Sequence, residues 1–312
     1  MRARGFALII AANLIGGLTY LGQKQAMEAL PPGIVTFLRN LVAIVAMALL
    51  LAARGGFRSR YDRAALTRLC VAGVLAFAMP LWLGTLGLRW STAGNASILI
   101  LLEPGAILVF SVLLLKERIG RPQQLGVAFG MAGALFIVLD HTSGSDLLAG
   151  GMLLGNSLLL LHAVLWGLYS PVMKPLADKH PALELTLLSM LFSMLLLTPI
   201  AGVEWLSYEH LPGWETALLW VAGLGLIGSF LGTLWWNASL KVLRASTIAP
   251  FVLLQPLAGL LGDWLVRDEV PTRAAWTGAG LIVTGLLCVL VSPRAPVDKR
   301  NDAAPPLEDA AP

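Results

Sequence analysis

From Phe6 to Val291 the chain alternates apolar runs of about 20 residues, the length that crosses a bilayer core as a helix, with short charged or Gly/Pro-rich breaks. Ten such runs can be marked, at roughly 6–25, 33–53, 69–88, 95–115, 124–139, 151–174, 184–202, 218–237, 247–266 and 276–291. Composition agrees with them. Residues of the AVILMFWYC set make up 57% of the 312 and charged residues 13%, against about 25% charged in soluble domains. So little charge cannot cover a water-facing surface, which excludes a soluble enzyme and a disordered chain. The two cysteines, Cys70 and Cys288, both lie in apolar runs, which excludes a disulfide scaffold. Ten spans use about 200 residues and leave no room for a separate catalytic domain. The run after Arg2 and Arg4 is too long for a signal peptide, and Gln23-Lys24-Gln25 is no cleavage site, so it reads as a retained first span.

Charge orients the spans. With the N-terminus in the cytoplasm, Arg2, Arg4, Arg54, Arg58, Arg60, Arg63, Arg68, Lys116, Arg118, Arg121, Lys174, Lys179, Lys241, Arg244, Arg294, Lys299 and Arg300 all fall on the inner side. The long outer loops 140–150 and 203–217 have no Lys or Arg and hold Asp140, Asp146, Glu204, Glu209 and Glu215. This is the positive-inside asymmetry, and ten spans return the C-terminus to the cytoplasm. Trp90, Trp205, Trp214, Trp220, Trp235, Trp236, Trp264 and Trp276 fall near span ends, as an interfacial belt requires; Trp82 and Trp166 lie deeper. Residues 292–312, rich in Pro, Ala and charge, are expected to be a disordered cytoplasmic tail.

The chain repeats itself. A shift of 152 superimposes Pro104 on Pro256, Glu117 on Glu269, Arg121 on Arg273, Gly126 on Gly278 and Gly133 on Gly285. A shift of 150 aligns Gly17 with Gly167, Lys24 with Lys174, Pro31 with Pro181 and Thr36 with Thr186. Each unit holds five spans, an odd number, so the second must cross the membrane upside down. The expected units are 1–139 and 140–291. Inverted repeats characterise secondary transporters, whose substrate site lies near the midplane.

Leu102-Glu103-Pro104 leading to Lys116-Glu117-Arg118, with Gly126 and Gly133, recurs as Leu254-Gln255-Pro256 leading to Asp268-Glu269-Val270, with Gly278 and Gly285. This pattern resembles the EamA-like members of the drug/metabolite transporter superfamily, over about residues 5–292. The resemblance implies a ten-helix, five-plus-five inverted-repeat fold and the movement of small metabolites such as amino acids, sugars or drugs. The second half departs by carrying Ser189 where the first has Arg39.

Polar groups inside spans are costly and mark function by default. At about 1.5 Å rise per residue, Glu103, Arg39, His162, Asn13 and Gln255 all fall in a central slab of the ~30 Å core. Glu103 can bind a proton or a substrate amine, or pair structurally with Arg39. For Arg39 the uses are gripping a substrate carboxylate or snorkelling outward. His162 serves as a proton relay, a substrate contact or a satisfied core histidine. Asn13 and Gln255 fit interhelical hydrogen bonds as well as ligand contacts, and Trp82 and Trp166 fit ring stacking or packing. Pro104 and Pro256 are expected hinges. Glu117 and Arg121, four apart, fit a charge latch, as do Glu269 and Arg273. Asn95-Ala96-Ser97 and Asn237-Ala238-Ser239 read as chance glycosylation matches. The glycines leave homodimerisation open beside packing within the bundle.

No HExxH, GxSxG, Walker A or CxxC pattern appears, and His141, His162, His180 and His210 are scattered. No enzyme activity, cofactor, metal or nucleic-acid partner is expected. The expectation is an all-α polytopic protein of the bacterial inner membrane, ten helices in two inverted repeats, surrounded by lipid. It would move a small-molecule substrate by alternating access, as an exporter, in a cavity bounded by helices one, two, four, six and nine, with a coupling proton as an option. The alternative is a non-transporting scaffold or sensor that kept the fold.

Overall fold

Local chemistry sets where each apolar run starts and stops being helical. The computed structural model describes residues 1–91, 96, 99–141, 152–209, 212–267 and 272–290. The expected tail 292–312, the Asp268-Glu269-Val270 turn, Asn95, Ser97, Asp146 and His210 lie outside the described residues.

Helix α1 is Arg2–Ala26, α2 Pro32–Ala53 and α3 Arg63–Arg89, the last with a π-wound turn at Val74–Ala78. Then come α4 (Glu103–Leu115), α5 (Arg121–His141), α6 (Leu153–Ala177) and α7 (Ala182–Leu206). Helix α8 (Trp214–Leu240) is π-wound over Leu224–Gly232. Helix α9 begins as Ala245–Ile248, tightens to a 3-10 turn at Ala249–Leu253 and resumes as Leu254–Arg267, and α10 is Arg273–Leu290. Among the described residues there is no strand. Seven of these helices, α1, α2, α3, α6, α7, α8 and α10, are by length and composition sufficient to cross a membrane, and α4 and the first part of α9 are shorter apolar helices.

Several boundaries move from the apolar windows. Helix α3 starts six residues before its apolar run because Asp62 caps it, accepting from the Ala65 N–H at 2.7 Å. The fourth run is not one helix. Leu101 and Leu102 form a turn and α4 starts afresh at Glu103. Pro104 has no N–H to give the carbonyl four residues before it, so a helix running through it would lose that bond, while at the start of a helix the missing N–H costs nothing. Pro256 stands likewise near the start of the resumed part of α9, just after the 3-10 turn.

Carboxylates fasten helix starts to distant chain. Glu204, near the end of α7, accepts from the Gly33 and Ile34 N–H groups at 2.7 and 3.1 Å, where the first turn of α2 has no partners of its own. Glu117 does not latch onto Arg121. Its carboxylate instead accepts from the Ala245 and Ser246 N–H groups at 3.2 and 3.0 Å and from the Ser246 hydroxyl, capping α9. It is aimed there by Lys116, which closes α4 in the left-handed region at φ 53. After α2, Glu184 accepts from the Arg58 and Ser59 N–H groups and the Tyr61 hydroxyl. Burial, and then the adjacent Glu184 carboxylate, push the Tyr61 pKa upward, so it remains a donor through the neutral range.

Helices α5 and α10 touch backbone to backbone. Gly126 faces Gly285 and Gly133 faces Gly278, so closely that a Cβ at 278 would overlap the Gly133 carbonyl. The order reverses along the chain, so the two helices run antiparallel. Gly126 corresponds to Gly278 in the repeat and Gly133 to Gly285, so each helix meets the other at the position its counterpart uses. Reciprocal contact of this kind is what a two-fold axis produces.

The outer surface of the bundle is apolar. Val203, Leu219, Leu206, Leu49, Leu113 and Leu195 are all well exposed, a cover that water would not tolerate and lipid does. Inside, one large apolar cluster joins residues of both halves, among them Ile9, Met47, Leu69, Met173, Met190, Leu240 and Phe251.

Candidate functional site

Asn13, Gln23, Arg39, Thr85, Glu103, His162 and Ser229, all buried, line one cavity of about 120 Å³. Glu103 enters from the first residue of α4 and is 2% exposed. The turn before it fixes its position, since a continuous helix would have set residue 103 differently. Opposite, His162 stands on α6. Its Nδ1 lies 2.7 Å from the Pro80 carbonyl, and its Nε2 lies 3.1 Å from Glu103 Oε1. A carbonyl only accepts, so Nδ1 carries a proton, and the Nε2···Oε1 contact shares one more between the two residues. The imidazole reaches Pro80 because Gly84, one turn further along α3, has no side chain; a Cβ there would lie 2.7 Å from Nδ1. Glu103 Oε2 is buried and accepts no hydrogen bond from any described group.

The repeat supplies a neutral version of this pair. Gln255, the repeat counterpart of Glu103, donates from Nε2 to Asn13 Oδ1 at 3.1 Å, and Asn13 in turn donates to the Ile9 carbonyl at 2.9 Å. One pair joins α4 to α6 and the other α9 to α1. Both line the same cavity.

Arg39 of α2 does not pair with Glu103. Its Nε donates to the Ser229 hydroxyl at 3.0 Å and its Nη1 to Gln23 Oε1 at 3.1 Å. Gln23 passes the chain on, donating to the Thr85 hydroxyl at 2.7 Å, which itself bonds the Leu81 carbonyl at 2.8 Å. At 6% exposure Arg39 is not snorkelling. It is held in the bundle by side chains of α1 and α8.

Trp166 stacks on His162 with ring centroids 5.9 Å apart, and Phe77 and Tyr169 continue the aromatic wall. Of the residues singled out in the sequence, Glu103, Arg39, His162, Asn13, Gln255 and Trp166 line this one cavity. Trp82 does not, and its indole N–H is buried without a partner. Trp236 was expected in the interfacial belt; it faces inward, lines the cavity and donates to the Ser170 hydroxyl at 2.9 Å. Asn237 of the second glycosylation-like triplet is buried against the Tyr169 and Thr186 hydroxyls.

Sequence reasoning missed Gln23, Thr85 and Ser229. Thr85 and Ser229 are too weakly polar to stand out in an apolar run, and Gln23 falls at the end of the first run beside Lys24, away from its middle. The cavity also takes walls from α3 and α8 that the expected five helices left out. Only the structure marks the region: Val74–Ala78 and Leu224–Gly232, the two π-wound segments among the described residues, begin at positions equivalent under the 150 shift. Each borders the cavity, through Phe77 and through Gly228, Ser229 and Gly232. π turns concentrate at such sites because the extra residue displaces the backbone ladder. No cluster of His, Cys, Asp and Glu among the described residues could hold a metal ion.

An apolar helical bundle with a polar, partly charged cavity at its centre is the architecture of an integral membrane transport protein. The EamA-like transporter family model matches residues 3–139 and again 153–291, and this chain belongs to that family. The chain is 28% identical to a probable terminal-alkyne amino-acid exporter of Streptantibioticus cattleyicolor, over 86% of each chain. It is also 28% identical to a riboflavin transporter of Rhizobium johnstonii, over 75% of this chain and 72% of that one. A solved crystal structure superposes with a TM-score of 0.78 at 20% identity, covering 93% of this chain and 98% of the other, which shows a shared fold.

Proposed function

We propose that this protein is a secondary transporter that moves a small metabolite across the cytoplasmic membrane by alternating access, in the direction of export. The observation that carries the reading is the matched pair of polar contacts, Glu103 with His162 and Gln255 with Asn13, facing one central cavity from the two halves. A buried carboxylate and imidazole in an apolar bundle are expensive to keep and are retained for what they bind. The units are 1–139 and 140–291, inverted about an axis in the membrane plane, a reading that the reciprocal glycine contacts of α5 and α10 support. Both termini are cytoplasmic. Glu103, His162, Arg39, Asn13, Gln255 and Trp166 contact cargo or coupling ion, and the helix starts at Pro104 and Pro256 are the flexing points. The exporter relative from S. cattleyicolor supports the direction. The two relatives' names point to chemically unlike cargoes, so neither passes to this chain.

The test uses single cysteines at Thr85 and Trp236, one on α3 and one on α8 and both lining the cavity, in a chain freed of Cys70 and Cys288. A membrane-impermeant thiol reagent should reach them from either face of oriented vesicles. Labelling from one face only, whatever the conditions, rejects alternating access. A metabolite panel on an overexpressing strain, with Glu103→Ala as control, then reads the cargo through efflux and resistance.

A further inference from the structure

Glu103 has two carboxylate oxygens and only one is used. His162 holds Oε1, while Oε2 is buried in the cavity wall with no donor among the described groups. An acceptor left so costs desolvation energy without return unless something donates to it in the working cycle. The same cavity has an aromatic wall, Trp166 stacked on His162 and Phe77 tilted against Trp166, and ring faces attract cations. We infer that Oε2 of Glu103 is a subsite for the ammonium group of a small organic amine. The inference rests on the carrier reading above and gives it a substrate class.

The charge balance favours an ammonium over the other small polar groups. With one proton between them, Glu103 and His162 are neutral as a pair, as a carboxylate beside an imidazolium or as the neutral forms. An ammonium donating to Oε2 favours the carboxylate form and adds a charge-assisted hydrogen bond. An alcohol adds only a neutral bond, and an anion meets the carboxylate with like charge. A second proton on Oε2 occupies the same lone pairs, so amine and proton compete. The other titratable or charged groups on this cavity are Arg39, already bonded to Ser229 and Gln23, and Tyr169; Gln255, Asn13, Gln23, Thr85 and Ser229 are neutral. The volume also limits the cargo. At about 120 Å³ the cavity is close to the engineered cavity of about 150 Å³ that holds benzene, so one ring with a short aminomethyl arm is near the upper limit in this conformation.

Benzylamine, benzyl alcohol and benzoate share a ring and differ in the charge of the terminal group. Binding to the purified full chain in detergent, read by calorimetry and by quenching of tryptophan fluorescence, should place benzylamine at least about tenfold tighter than benzyl alcohol, with benzoate weakest. Glu103→Gln should bring benzylamine to the level of the alcohol, Glu103→Asp should keep part of the preference, and acidification should weaken benzylamine alone. Equal affinity for amine and alcohol, tighter benzoate, a preference that survives Glu103→Gln, or no binding of all three overturns the ammonium subsite. None of these results bears on the two-sided cysteine labelling, whose failure would reject the carrier while leaving the binding measurement standing.

Discussion

His162 of α6 bridges two consecutive helices of the first half, donating through Nδ1 to the Pro80 carbonyl of α3 and turning Nε2 to Glu103 of α4. The imidazole is thus fixed in tautomer and orientation before any cargo arrives. Its removal leaves Glu103 buried and wholly unpaired. His162→Ala should therefore cost about 3–5 kcal/mol, seen as a fall in Tm in detergent. The double variant Glu103→Gln/His162→Ala should recover much of it. Additive losses in that double-mutant cycle would mean the contact carries no coupling.

Gly84 gives the imidazole its path to Pro80. Gly84→Ala should push the ring off the carbonyl and away from Glu103, lowering transport while the chain still folds. Gly259, which has open space around its Cβ position, supplies the control: Gly259→Ala should leave both Tm and transport within error. A Gly84→Ala protein with unaltered transport would mean the Pro80 bond does not position His162.

The seam between α5 and α10 is the tightest test of packing. Gly278→Val puts branched carbon into the Gly133 carbonyl and should abolish folded expression, read by size-exclusion profile, with Gly133→Val doing the same. Equal severity at both positions is the expected sign of reciprocal contact; tolerance of one would contradict it.

Lys116 stores backbone strain so that Glu117 can cap α9. Lys116→Gly removes the left-handed penalty and should raise stability by about 1 kcal/mol. Glu117→Gln loses a charged cap and should lower it by about 1 kcal/mol. Arg121→Gln should be silent in the same thermal assay. A loss with Arg121→Gln equal to that of Glu117→Gln would restore the local charge latch.

Two deep tryptophans separate cavity from packing. Trp166→Phe should weaken cargo binding, since the ring stacks on His162, whereas Trp82→Phe leaves the cavity wall untouched and should leave transport within about twofold. Equal loss from both would place Trp82 in the site.

The membrane class, the positions of the apolar runs and the internal duplication were all legible in the chain itself. Hydropathy belongs to a window of neighbouring residues, and a gene-level repeat leaves its glycines, prolines and charges in register. The breaks were harder. The interruption before Glu103 and the 3-10 turn of α9 fall inside uninterrupted apolar stretches, where the missing N–H of a nearby proline decides and hydropathy is blind.

Asn13, Arg39, Glu103, His162 and Gln255 stood out in the sequence, because a charge or amide within a span is conspicuous wherever it ends up. What each of them touches was not. Arg39 could be matched with Glu103 on depth alone, yet it bonds Gln23 and Ser229, while His162 takes the carboxylate. Depth is fixed by position along a helix, and sequence counts it. Facing is fixed by how each helix is rotated and where it crosses its neighbours, which depends on side chains as far apart as Asn13 and Gln255, 242 positions from each other. The sequence by itself determined that this chain is a duplicated bundle of lipid-embedded helices with polar groups at mid-depth. Only the tertiary structure decided that those groups share one cavity, that Glu103 meets His162 while Gln255 meets Asn13, and that Glu103 Oε2 is buried with no partner among the described groups.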